Sequence, residues 1–186
     1  MKKSATFSED LKNRYLLTRE WDIDKPYLAV IGLNPSVANQ YEDDPTIRRV
    51  ISFAKLWGYG GFYMLNVYSQ VATDPNDLRV FGEDEANIDF VLEHCRKADE
   101  VLCAWGSKKG ISHRADFIMR MLKSEGIKTT ALHINKNGSP KHPLYVKSDI
   151  MRVFYPEGAF VEIYQQGGGV NDLFNSILND DEKNRV

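Results

Sequence analysis

Short apolar runs alternate along the chain with stretches whose apolar residues recur at helical spacing. Residues 27–33 form a nearly unbroken apolar run that stops at Asn34-Pro35-Ser36, the pattern of a strand buried on both faces. Asp43-Asp44-Pro45-Thr46 then offers a carboxylate N-cap and a first-turn proline. Ile47, Val50, Ile51, Ala54 and Trp57 follow on one helical stripe, which Gly58 ends. A second strand is predicted over 62–68, after the turn Gly58-Tyr59-Gly60-Gly61, and Asp74-Pro75 marks the loop beyond it.

The spacing of Ile88, Val91, Leu92 and Cys95 predicts a helix over 83–98, followed by a strand over 101–106. A third helix is expected over 112–124, stopped at Gly126, and a fourth strand over 127–134. This repeated strand-helix order predicts an α/β fold with a parallel sheet covered by helices on both faces. Residues 14–21 and 160–164 are candidate added edge strands, and 171–178, after Gly167-Gly168-Gly169, a short helix. With no internal repeat and no linker, residues 1–186 read as a single domain.

Composition narrows the function classes. Lys and Arg number 24 against 26 Asp and Glu, so a broad duplex-binding surface is excluded and any nucleic-acid contact must be local. No apolar run approaches the roughly 18–20 residues needed to span a bilayer, and Met1-Lys2-Lys3-Ser4-Ala5 leads into no hydrophobic segment. A cytoplasmic protein without membrane contact is expected. Cys95 and Cys103 form no Cys-x-x-Cys pair and read as small buried hydrophobes. No metal and no cofactor is expected.

In open parallel sheets, ligands bind beyond the carboxyl ends of the strands. Those ends carry Asn34 and Ser36, Asn66 and Tyr68, Trp105, Gly106 and Ser107, and, after the fourth strand, His142. Two amides could read the edge of a nucleobase while aromatic rings stack on its face. Lys108, Lys109, Lys136 and Lys141, from loops on the same rim, could form a local phosphate site; a solvated surface is the alternative. Thr46, Arg48 and Arg49 on the first turn of the first helix are anion-binding candidates, with solvent-exposed helix charges as the competing account.

Other residues have structural alternatives. Asn34 before proline could shape a turn, and Asn66, if buried, could pair with a neighbouring backbone group. Asp43 and Asp44 are acid/base candidates, although N-capping explains at least one of them. His94 and His133 read as structural, His113 stays open, and His142 is the functional candidate.

Seven motifs carry a family resemblance: Arg14-Tyr15-Leu16, Gly32-Leu33-Asn34-Pro35-Ser36, Asp43-Asp44-Pro45-Thr46-Ile47-Arg48-Arg49, Asn66-Val67-Tyr68, Ala72-Thr73-Asp74-Pro75, Ala104-Trp105-Gly106, and Gly138-Ser139-Pro140-Lys141-His142-Pro143-Leu144-Tyr145. In this order they resemble domain of unknown function family 1643, found in bacteria and phages, over roughly residues 14–146. More distantly, the chain resembles the uracil-DNA glycosylase superfamily, whose members carry Gly-x-Asp/Asn-Pro, an asparagine, Trp-Gly and His-Pro after four successive core strands. Here these are Gly32-Leu33-Asn34-Pro35, Asn66, Trp105-Gly106 and His142-Pro143.

This second resemblance implies a three-layer α/β/α sandwich around a central four-stranded parallel sheet. It also implies cleavage of an N-glycosidic bond in nucleic acid or a nucleotide, with the base drawn into a pocket. Asn34 would orient the attacking water, Asn66 would read the base, and His142 would stabilise the departing base. Tyr68 or Trp105 would stack on or wall the base, with Ser36, Gly106 and Tyr145 also at the pocket and Leu144 as a wedge. The competing reading is a noncatalytic protein that sequesters a nucleotide or modified base in the same pocket.

Overall fold

The structure is a computed structural model that describes residues 1–36, 38–74, 78, 84–108 and 112–156. The expected strand at 160–164, the expected helix at 171–178 and Lys109 lie outside the described residues. The strands are β1 (Lys2–Phe7), β2 (Arg14–Glu20), β3 (Tyr27–Gly32), β4 (Gly61–Asn66), β5 (Glu100–Cys103), β6 (Thr129–Ala131) and β7 (Val153–Phe154). The helices are α1 (Pro45–Leu56), α2 (Glu85–Lys97) and α3 (Ser112–Ser124). Together the strands form one mixed sheet of order β1-β2-β4-β3-β5-β6-β7.

Its centre is parallel: β3 pairs with β4 on one side and β5 on the other, and β5 pairs with β6. β2 joins β4 antiparallel, β1 joins β2 antiparallel, and β7 closes the far side antiparallel to β6. Strand alternation along β3 divides the core. Leu28 and Val30 pack with Ile47, Val50, Phe53 and Ala54 of α1. Ala29 and Ile31 pack with Val91 and Cys95 of α2 and Ile118 and Leu122 of α3. Full burial of Leu28, Ala29, Val30 and Ile31 explains why this strand reads as a nearly unbroken apolar run.

Two strand expectations need correction. Residues 14–21 form not an edge strand but an inner one, because β1 covers β2; the Lys-Lys-Ser-Ala-Thr-Phe sequence of β1 alternates exposed and half-buried positions and carries little apolar signal. The fourth strand is shorter than 127–134, because Ile127 N–H donates to Leu122 O and completes the exit turn of α3. The far edge is closed by the two-residue β7, too short for a periodicity.

The chain leaves β3 through α1 toward β4 on one side, whereas β5 and β6 extend the sheet on the other. The topological switch point therefore lies between the carboxyl ends of β3 and β5, where a crevice opens in sheets of this kind.

Candidate functional site

A cleft of about 630 Å³ occupies the switch point. Gly32, Leu33, Asn34 and Ser36 line it from the end of β3, Asp44 and Thr46 from the start of α1, and Trp105, Gly106 and Lys108 from the segment after β5. His142, Leu144 and Tyr145 close it from a single 3-10 turn, Pro143–Tyr145, and its cap. Segments more than a hundred residues apart in sequence thus meet in one concavity.

Asn34 Nδ2 donates to Pro35 O at 2.9 Å and to Ala72 O at 2.8 Å. Two carbonyl partners fix the amide orientation, since an oxygen in that place would face two oxygens. The turn-shaping role is real, and it leaves Oδ1 as the acceptor that Asn34 can offer to the cleft.

His142 caps the 3-10 turn, its Nδ1 accepting from Leu144 N–H at 3.4 Å. In the neutral ring the proton then sits on Nε2, leaving a donor on the other side. Burial lowers the His142 pKa below the ordinary histidine value, and the Asp44 carboxylate partly opposes that shift. The loop after β5 approaches closely: Gly106 N–H donates to Pro140 O, and a Cβ on Gly106 would lie 3.4 Å from His142 Cβ. Gly106 also has φ +82, so both its conformation and its neighbour favour glycine.

The two aspartates separate. Asp44 lines the cleft and caps α1, Oδ1 accepting from Ile47 N–H at 2.8 Å. Asp43 lies outside the cleft lining, held by Arg19 Nε at 2.7 Å and Lys3 Nζ at 2.9 Å. Burial alone would raise the Asp43 pKa, but these two cations hold it below the ordinary carboxylate value. An acid/base role is therefore open to Asp44 by position, whereas Asp43 joins β1, β2 and the entry to α1.

Of the anion-binding candidates, Thr46 and Lys108 line the cleft. Arg48 is exposed and donates to Asp43 O. Arg49 donates to Val146 O at 2.5 Å and Ser148 Oγ at 2.7 Å, with its guanidinium 4.6 Å from the centre of the Phe53 ring. These contacts make Arg49 a clamp between α1 and the segment after His142. Lys141 does not line the cleft; its backbone N–H donates to His133 O.

Trp105 lines the cleft, and its Nε1 is buried with no partner among the described residues. Tyr145 is 74% exposed, its ring 5.7 Å from that of His142. Tyr68 packs against the α2–α3 side of the core instead of the cleft. Asn66 is fully buried and also outside the lining; a Cβ on Gly32 would lie 3.0 Å from its Oδ1. Neither Asn66 amide atom has a partner among the described residues, so the expected backbone partner is absent there and the group stands directly behind the Gly32 wall.

Sequence reasoning missed Arg14. It lines the cleft at 2% exposure, Nη1 donates to Ala38 O, and Nε has no partner among the described residues. Burial, with Arg19 nearby, lowers its pKa to about 10 against the opposing effect of Asp44, so it stays charged at neutral pH. The available signal was its place at the head of the Arg14-Tyr15-Leu16 motif. Among the described residues, no cluster of three or more His, Cys, Asp or Glu could hold a metal ion, and no helix is long and apolar enough to cross a membrane.

The described wall thus runs from Arg14 to Tyr145, and one family description matches residues 14–144. The chain belongs to the family "Protein of unknown function (DUF1643)". No curated protein and no solved structure matches the chain. The DUF1643 region takes in β2 through β6 and every lining residue of the cleft except Tyr145, while β1 and β7 fall outside it. The matched region is therefore the one that builds the cleft.

Proposed function

We propose that the cleft recognises a nucleobase and hydrolyses its N-glycosidic bond, in nucleic acid or a nucleotide, in the manner of the uracil-DNA glycosylase superfamily. The observation that carries this reading is the meeting of Asn34, Asp44 and His142 in one cleft with Trp105 and Tyr145. A parallel β4-β3-β5-β6 centre with α1 on one face and α2 and α3 on the other is in keeping with a three-layer α/β/α sandwich.

In this reading water attacks C1′ as the C1′–N bond breaks, and the bonding electron pair leaves with the base. Asn34 Oδ1 accepts one water hydrogen and Asp44 takes the proton. His142 Nε2–H donates to the charge developing on the departing base, and a half-buried neutral imidazole suits that role. Trp105 and Tyr145 supply apolar surface for a flat ring.

A binding protein that holds a nucleotide unchanged is the second reading, and the bracing of the 34–36 turn by Asn34 favours it. Labelled nucleotides and oligonucleotides incubated with the chain and resolved by mass spectrometry separate the two. Released base, lost in Asn34→Ala and His142→Ala, is the expected result; saturable binding of unchanged ligand supports the second reading, and neither outcome removes both.

A further inference from the structure

Arg14 stands out as a buried cation with no ion pair among the described residues, the Asp44 carboxylate acting on it without contacting it. Arg19, the other fully buried arginine of β2, is ion-paired with Asp43 at 2.7 Å. Among the described residues the Arg14 guanidinium makes one hydrogen bond, to the neutral Ala38 carbonyl, and no ion pair. Charged groups are seldom buried unless paired, because desolvation costs several kcal/mol or more.

Its surroundings point to what completes the pairing. Arg14 and Trp105, both in the cleft wall and both buried, each carry a nitrogen with no partner among the described residues, and both groups can only donate. The positive end of the twelve-residue α1 opens there through Thr46. An acceptor-rich anion meets these conditions, and guanidinium binds phosphate well.

We propose that Arg14 is the anchor of a phosphate subsite in the cleft and that the ligand is phosphorylated, either as a free nucleotide or as a phosphodiester. The phosphate subsite stands on the unpartnered donors of the cleft wall, Arg14 first; that the phosphate belongs to a nucleotide rests on the reading above.

The test uses the full chain. Inorganic phosphate, the common nucleosides, their 5′-monophosphates and a mixed single-stranded oligonucleotide are titrated while the Arg14 Nε–H and Trp105 Nε1–H resonances are followed by NMR. The Arg14 resonance moves with phosphate and with monophosphates, and at least one monophosphate binds tenfold or more tightly than its nucleoside. Arg14→Lys, checked for an unchanged fold by its melting curve, loses at least tenfold in monophosphate affinity and keeps that for the nucleoside. Lys108→Ala, at the cleft rim, weakens the monophosphate by a smaller factor and gives a second variant should Arg14→Lys not fold.

A free nucleotide and a phosphodiester are told apart by whether the monophosphate or the oligonucleotide binds more tightly. Equal affinity for nucleosides and monophosphates, or an Arg14 resonance that stays still at saturating phosphate, overturns the proposal. Base release without any phosphate preference would remove the phosphate subsite and leave the glycosidic reading intact. Phosphate binding without base release would do the reverse.

Discussion

Arg49 Nη2 donates to Val146 O at 2.5 Å across 97 positions of sequence, tying the helix that Asp44 caps to the segment that follows His142. The same guanidinium reaches Ser148 Oγ and lies over Phe53. Two walls of the cleft are thereby held in register by one side chain.

Arg49→Ala is expected to lower stability by about 1.5–3 kcal/mol, the range for hydrogen bonds to a charged group, and to raise hydrogen exchange across 143–148. Arg48→Ala, whose side chain is exposed, leaves both unchanged. Urea unfolding and exchange mass spectrometry check the pair, and equal effects from the two substitutions would contradict the clamp.

Asp44→Asn retains an oxygen to cap α1 but removes the charge, whereas Asp44→Ala removes both. The alanine variant should lose about 1 kcal/mol, the usual cost of a lost cap, and the asparagine variant much less. Because the Asp44 carboxylate opposes the burial that lowers the His142 pKa, Asp44→Asn should lower that pKa further. Imidazole NMR titration reads this, and an upward movement would contradict it.

Acid should weaken the fold through Asp43 and Glu100. Burial opposes ionisation at both, but Lys3 and Arg19 at Asp43, and Arg152, Tyr59 and Thr130 at Glu100, hold each pKa below its ordinary value. A depressed native pKa contributes stability that is present above the unfolded value, about 4, and lost as pH falls through the native one. Asp43→Asn and Glu100→Gln should flatten the melting temperature against pH below about 5. An acid limb unchanged in both variants would contradict the assignment.

Much of this architecture is legible in the residues because burial on both faces leaves a contiguous signal. β3 and the α1 start at Asp44-Pro45 follow from apolar runs and capping chemistry, and α3 occupies its expected span. The strand ends named Asn34, Ser36, Trp105 and His142, which do share the cleft. β1 was invisible because its two faces differ little in polarity. The division of labour within Asp43-Asp44 and Arg48-Arg49 was also hidden. Adjacent residues at a helix start point in different directions, and tertiary partners 24 to 99 positions away decide which of them brace the fold and which face the cleft. Arg14 was missed for a related reason: nothing in a strand pattern tells a buried arginine from an exposed one.

Asn66 leaves two amide atoms unpartnered in the core among the described residues, a desolvation penalty of about 1–3 kcal/mol for an unsatisfied group. Asn66→Leu, nearly the same shape, should therefore raise stability. If Asn66 serves the base through the Gly32 wall, the same variant should bind nucleotide more weakly. Thermal unfolding reads the first effect and ligand titration the second; a destabilised variant would show that the amide has a partner the fold depends on.

The glycosidic reading is tested most directly by running the reaction in ¹⁸O-labelled water with the nucleotide and oligonucleotide panel. The account predicts free base without label and a sugar product carrying one ¹⁸O at C1′, with both products absent in Asn34→Ala. Intact ligands throughout, or label found in phosphate instead of the sugar, would contradict it.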